Sequence, residues 1–179
     1  MGKTLLLTGH PGIGKTTIIR HVVAQVGKKA GGFYTEEIVG PGGRKGFQLI
    51  TLDGKETSQI ATIAHIDLRD PKAPRVGRYG VDVAALERVG VAALRRAIQE
   101  KKLVVVDEIG TMELYSHAFC DVVMQAILGP TPVLGTIMHH PHPESDIFKT
   151  LAQVTLWEVN RTTRDDLTDK VMTWLNKNT

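Results

Sequence analysis

Apolar positions along this chain follow two rhythms, short continuous runs and longer stretches that repeat every three or four residues. Thr4-Leu5-Leu6-Leu7-Thr8 is the first run. Ile18, Ile19, Val22, Val23 and Val26 follow at helical spacing over Thr16 to Val26, and Gly27 closes that helix with Lys28 and Lys29 near its negative end. From Gly31 the pattern shortens. Phe33 to Val39, Gly46 to Leu52 and Thr57 to Ala64 read as strands, the first two joined by the turn formers Gly40-Pro41-Gly42-Gly43 and the next turn marked by Asp53-Gly54. Lys72 to Arg78 reads as an irregular basic loop. Asp82 is placed to cap a helix reaching about Glu100, with Leu86, Val89, Ala93, Ala97 and Ile98 inward.

Leu103-Val104-Val105-Val106 then runs straight into Asp107-Glu108, as a strand buried on both faces does. Met112 to Leu128 is helical, with Leu114, Ala118, Val122 and Ala126 in line and Gly129-Pro130 as its stop. Val133 to Ile137 is a second buried strand, followed by a polar loop from Met138 to Ser145. A short helix is expected over Asp146 to Gln153 and a strand over Val154 to Val159. Thr163-Arg164-Asp165-Asp166 has capping-box spacing and opens a last helix with Leu167, Val171 and Trp174 inward. Strands alternating with helices predict an α/β fold, a predominantly parallel sheet flanked by helices, with a small antiparallel β insertion after the first helix. A chain of 179 residues suits one domain, 1–179.

Composition narrows the setting. The single Cys120 excludes an intramolecular disulfide and suits a reducing compartment. The N-terminal apolar run is too short for a signal peptide, Leu6 stands where a myristoylation pattern requires Ser or Thr, and no run approaches a membrane span. A soluble, cytoplasmic protein without a membrane partner is expected. Lys and Arg total 22 against 19 Asp and Glu, a net +3. These bases are scattered rather than gathered in a tract or an aromatic-interleaved stripe, so nucleic acid is not indicated.

The chemistry begins at Gly9-His10-Pro11-Gly12-Ile13-Gly14-Lys15-Thr16, which fits G-x-x-x-x-G-K-[ST] between a strand and a helix. Glycines let such a backbone curl with its N–H groups inward, and the following helix adds the positive end of its dipole, so a polyphosphate is the natural occupant. Lys15 is expected to reach the β- and γ-phosphates and the Thr16 hydroxyl to ligate Mg²⁺. Asp107 ends a dry strand and is the expected second Mg²⁺ contact. Glu108, next in line, is expected to polarise a water for attack on the γ-phosphorus. An acid in that place favours hydrolysis over transfer, since a kinase avoids activating water.

Other candidates are weaker. Thr136 ends the neighbouring strand and can reach the γ-phosphate or the attacking water. Arg78, Arg161 and Arg164 are candidates to steady phosphoryl charge or stack on the base, with Asn160 to Thr163 at the exit of the last strand. Glu36 and Glu37 can face the cleft or solvent. The run His139, His140 and His142 is interrupted by Pro141 and Pro143, which excludes helical ligand spacing and reads as a mobile loop rather than a zinc site. There is no Asn-Lys-x-Asp motif for reading guanine, so strict GTP selectivity is not indicated.

With these segments assembled, the chain resembles the THEP1 nucleoside-triphosphatase family. The likeness is carried by Thr8 to Thr17, by Gly32-Phe33-Tyr34-Thr35-Glu36-Glu37, by Arg75-Val76-Gly77-Arg78-Tyr79, by Val106-Asp107-Glu108-Ile109-Gly110-Thr111-Met112-Glu113-Leu114, and by Leu134-Gly135-Thr136-Ile137. It implies a RecA-like P-loop NTPase fold and slow, Mg²⁺-dependent hydrolysis of ATP, GTP, CTP, UTP and other nucleoside triphosphates to the diphosphate. It also implies that nucleotide is held by the glycine loop, Gly9 through Thr17, and by the segment around Asp107 to Gly110. The loop of prolines and histidines after Ile137 is not part of the likeness. Two further readings stand beside hydrolysis: a nucleotide or small-molecule kinase, and a nucleotide-dependent switch acting on a protein or RNA.

Overall fold

A computed structural model describes residues 3–62 and 73–178 of the chain. Its strands are β1 (Thr4–Thr8), β2 (Ala30–Gly40), β3 (Gly43–Thr51), β4 (Thr57–Thr62), β5 (Arg75–Val76), β6 (Tyr79–Val81), β7 (Leu103–Ile109), β8 (Val133–Ile137) and β9 (Val154–Glu158). The helices are α1 (Lys15–Val26), α2 (Val83–Ala85) running through a π-helical stretch Leu86–Val91 into α3 (Ala92–Glu100), α4 (His117–Leu128), α5 (Pro143–Thr150) and α6 (Arg164–Asn178). All described strands join one sheet in the order β5-β6-β4-β3-β2-β7-β8-β1-β9.

The sheet has two parts. From β2 to β9 neighbouring strands are parallel, with β8 between β1 and the acid-bearing β7, as in a RecA-like core. From β2 outward the pairing is antiparallel, through β3, β4, β6 and β5, and this wing is the expected insertion. β2 belongs to both: Ala30 to Phe33 pair with Leu103 to Val106 of β7, and Phe33 to Gly40 pair back along β3.

Alternation divides the core. Leu5 and Leu7 of β1 face α1 and α6 among Ile18, Ile19, Val22, Leu167 and Val171. Leu6 faces the other layer, where Phe33, Leu49, Val89, Leu94, Phe119 and Val123 pack. Helices therefore cover both faces of the parallel strands, which explains why those strands are apolar throughout.

Several boundaries differ from the sequence reading. β2 starts at Ala30 rather than Phe33, because Gly31 and Gly32 lie against α3 and β7 where a side chain has no room; a Cβ on Gly32, at φ +111°, would collide with the Val105 carbonyl oxygen. The stretch from Met112 is interrupted. A 3-10 turn spans Glu113–Tyr115, and Ser116, in extended backbone, caps a new start at His117 by accepting the Phe119 N–H. The short helix begins at Pro143 rather than Asp146, since proline suits a first turn and His142 caps it. In α6, Leu175 is buried where Trp174 was expected, and Trp174 is half-buried beside it. Part of the basic loop is a hairpin, β5 to β6; Lys72, and Ile63 and Ala64 of the expected third strand, lie outside the described residues.

Candidate active site

The carboxyl ends of β1 and β7 open into a cleft of about 670 Å³, lined on one side by the loop after β1 and on the other by β2, β3 and the segment after β7. In the loop, Gly9, Gly12 and Gly14 sit at φ +144°, +75° and +112°, conformations that glycine adopts without strain. Gly9 also presses against the Val159 carbonyl, leaving no space for a Cβ. The Lys15 side chain is buried, and its ammonium donates to the carbonyls of Gly9 at 2.8 Å and His10 at 3.4 Å. It thus spans the loop it follows, with its charge over the concave side.

Asp107 is fully buried. The Thr136 hydroxyl donates to its Oδ1, whereas Oδ2 has no hydrogen-bond partner among the described residues. Burial pushes its carboxyl up to about 6; the hydroxyls of Thr136 and then Thr16 oppose that, the Glu108 charge adds to it, and Lys15 opposes it. A buried carboxylate oxygen with no partner is uncommon, because its lost hydration goes uncompensated. A divalent cation beside Thr16, or a water bound to that cation, would satisfy Oδ2, so the residues present fit Mg²⁺.

Glu108 is half-buried and lines the cleft. Its peptide bond to Asp107 is cis, and the β7–β8 register slips between Val106 and Ile109. Gly110 and Glu113 line the same wall, the Gly110 N–H donating to Glu113 Oε2 at 3.2 Å. The Glu113 carboxyl is raised to about 8, by burial first and the Glu108 charge second.

The cleft brings together Gly9, Pro11, Gly12, Gly14, Lys15, Thr16, Thr17, Glu108 and Gly110. Buried Asp107 lies beneath them. His10 and Ile13 belong to the same loop without lining the cleft, His10 turning its ring to His139 at 4.6 Å between centroids. Thr136 stands behind Asp107 instead of facing the cleft, since β8 ends under that carboxylate. Asn160 to Arg164 lie beside the start of the loop, where the Val159 N–H donates to the Thr8 carbonyl at 2.7 Å. There Asn160 caps its own turn and Arg164 pairs with Asp165, both exposed and outside the cleft lining. Arg78 lies over Tyr79 at 5.3 Å on the wing and does not line the cleft either.

Glu36 and Glu37 both line it, and so do His139 and His140 of the polar loop. The sequence reading passed over Arg20, Arg44, Phe47 and Glu113 as site residues. The first three come from α1 and from a strand whose partner sets the register, so no local spacing announces them. Glu113 alone left a trace, as an acid shortly after Asp107-Glu108.

The NTPase family model matches residues 4–172. The nucleoside-triphosphatase THEP1 of Thermotoga sp. (strain RQ2) is 41% identical over 174 residues, covering 97% of this chain and 96% of that protein. The crystal structure of THEP1 from Aquifex aeolicus superposes with a TM-score of 0.85 at 34% identity, over 96% of this chain and 98% of that one. The solution structure of a human cancer-related nucleoside triphosphatase gives 0.79 at 31% identity over the whole of both chains.

Proposed function

The chain belongs to the NTPase family of the THEP1 nucleoside-triphosphatases, and from that premise we propose that it hydrolyses ATP, GTP, CTP and UTP to the diphosphate and phosphate with Mg²⁺, as one P-loop domain. The observation that carries this reading is the convergence on one cleft of the glycine loop, Lys15 and Glu108, above a buried Asp107 with one oxygen unmatched.

The loop N–H groups from Gly12 to Thr17 take the phosphate oxygens, helped by the N-terminus of α1. Lys15 exchanges its two carbonyl contacts, to Gly9 and His10, for charge-assisted contacts to the β- and γ-phosphates. Thr16 and Asp107 would hold the Mg²⁺, which would supply positive charge to offset that growing on the leaving diphosphate. Thr136 fixes the Asp107 rotamer. Glu108 accepts the proton of the attacking water while the bond from the γ-phosphorus to the bridging oxygen breaks toward the diphosphate. The base end lies toward Asn160 to Arg164, with Arg164 as its contact. Exposed, self-satisfied groups there suit loose base preference.

The test is phosphate release from the four triphosphates with Mg²⁺ or with EDTA, in wild type and Lys15→Ala. Turnover of more than one triphosphate with Mg²⁺ and none in EDTA is expected. Lys15→Ala should weaken nucleotide binding by roughly 10²-fold, as loss of a charge-assisted contact implies. Equal turnover with Mg²⁺ and EDTA would contradict the assignment.

A further inference from the structure

Glu113 lines the cleft yet has no part in the hydrolysis just described. It is buried, 5% exposed, beside a second acid, Glu108, whose charge adds to burial in raising its carboxyl to about 8. An acceptor for one backbone N–H need not be an acid. An amide oxygen would serve the Gly110 N–H without the desolvation and like-charge penalty that a carboxylate meets there. Acids kept in such surroundings cluster at functional sites.

The surroundings of Gly110 show what this acid touches. The Gly110 N–H donates to Glu113 Oε2 at 3.2 Å, and the Gly110 carbonyl accepts the Leu114 N–H at 3.1 Å. One residue earlier, the Ile109 carbonyl accepts the Met138 N–H at 3.0 Å. The chain leaving Glu108 is thus fixed at consecutive backbone groups, and of these contacts Glu113 makes the one that comes from a side chain. Gly110 is not at a positive φ, so its backbone conformation does not call for glycine. What the missing side chain leaves room for is the two acids. A Cβ there would stand 3.0 Å from Glu113 Oε2 and 3.6 and 3.7 Å from Cγ and Cδ of Glu108. Both carboxyl groups therefore pack against one bare α-carbon, Glu113 buried and Glu108 half-buried at the cleft.

We propose that Glu113 is a positioning residue for hydrolysis: by holding the Gly110 turn and filling the space beside Glu108, it keeps the Glu108 carboxylate aimed at the attacking water. The inference rests on the assignment of Glu108 as the base and adds the residue through which that base is aimed. Glu113 takes neither phosphate nor metal, so it acts on the rate of cleavage and not on affinity. Glu108 stands at the end of a strand on a side chain with three rotatable bonds. A base misplaced by about an ångström loses roughly 10²-fold in rate. The strand limits that movement from one side and the Glu113 clamp limits it from the other.

The test is single-turnover cleavage of Mg²⁺-ATP, with nucleotide affinity measured on the same samples, in Glu113→Ala, Glu113→Gln, Gly110→Ala, and Glu108→Gln with and without Glu113→Ala. Glu113→Ala should cleave roughly ten- to a hundredfold more slowly, with affinity within about twofold of wild type. Glu113→Gln, which keeps the acceptor and the volume, should recover most of the lost rate. Gly110→Ala crowds the Glu113 carboxyl without emptying a buried position. It should slow cleavage by roughly threefold or more, and it decides the question if Glu113→Ala does not fold. In the Glu108→Gln background, Glu113→Ala should cost less than about twofold further, because the group it positions is gone. A further loss there as large as in wild type means that Glu113 acts on something other than Glu108 and overturns the proposal. So does wild-type cleavage in Glu113→Ala or Gly110→Ala, a loss confined to affinity, or a Glu113→Gln no faster than Glu113→Ala. Failure of the underlying reading looks different: Glu108→Gln alone then cleaves at the wild-type rate, and both assignments fall.

Discussion

Glu113 sits where two neighbouring effects act in one direction. Burial and the charge of Glu108 both raise its carboxyl, from an ordinary 4.5 to about 8. Between those values the folded protein keeps a proton that the unfolded chain has released. Its contribution to stability is therefore complete below about 4.5, shrinks as pH rises, and is gone above about 8. Glu113→Gln retains an acceptor for the Gly110 N–H without the titration. Urea unfolding of the nucleotide-free protein across this window should show wild type losing up to about 1.4 kcal/mol per pH unit relative to the variant, and parallel pH profiles would contradict it. The sequence displays Lys15, Thr16, Asp107 and Glu108 as candidates because the loop pattern and the strand that ends in acids are local. It does not display Arg20, which α1 brings against Glu36 of β2, or Arg44, whose place in the cleft depends on how β3 registers against β2. Nor does it show that Thr136 serves Asp107, a relation across two strands.

At the scale of elements, the glycines that obscured the start of β2 in the sequence are those that let it join both halves of the sheet. Pattern reading favours branched and aromatic residues for strands, and Gly31-Gly32 has neither. Gly32→Ala combines an unfavourable φ with a collision against backbone that has no free direction to move in. It should destabilise the fold by about 3 kcal/mol or more, measured by urea unfolding, and a variant as stable as wild type would refute the packing described. Ser116 illustrates the converse. The apolar period from Met112 to Leu128 continues through it, so periodicity alone merged two elements. The cap, and the Ser116 hydroxyl that also donates to Glu87 at 2.7 Å, divide them.

At the scale of the whole molecule, a parallel core and an antiparallel wing meet at β2 and share one cleft. The α/β class and the inserted wing are legible in the order of apolar runs, since each strand-to-helix step is short and the turn formers between the wing strands are strong. Sheet order is not, because pairing across the crossovers is set by packing on both layers. No helix among the described residues is long and apolar enough to cross a membrane. Because both parts line the cleft, ligand binding should be felt globally. Mg²⁺-nucleotide at 100 times its Kd adds about 2.7 kcal/mol, and for a chain of this length that is a rise in Tm of roughly 5–10 °C. Calorimetric or fluorescence melting should show it in wild type and not in Lys15→Ala. An equal rise in both would place binding elsewhere. The most direct test of the account as a whole is the single-turnover rate of Glu108→Gln at saturating Mg²⁺-ATP, with nucleotide affinity measured on the same sample. Affinity near that of wild type with cleavage slowed by about 10²-fold or more is the predicted result; cleavage at the wild-type rate would contradict the assignment of Glu108 as the base.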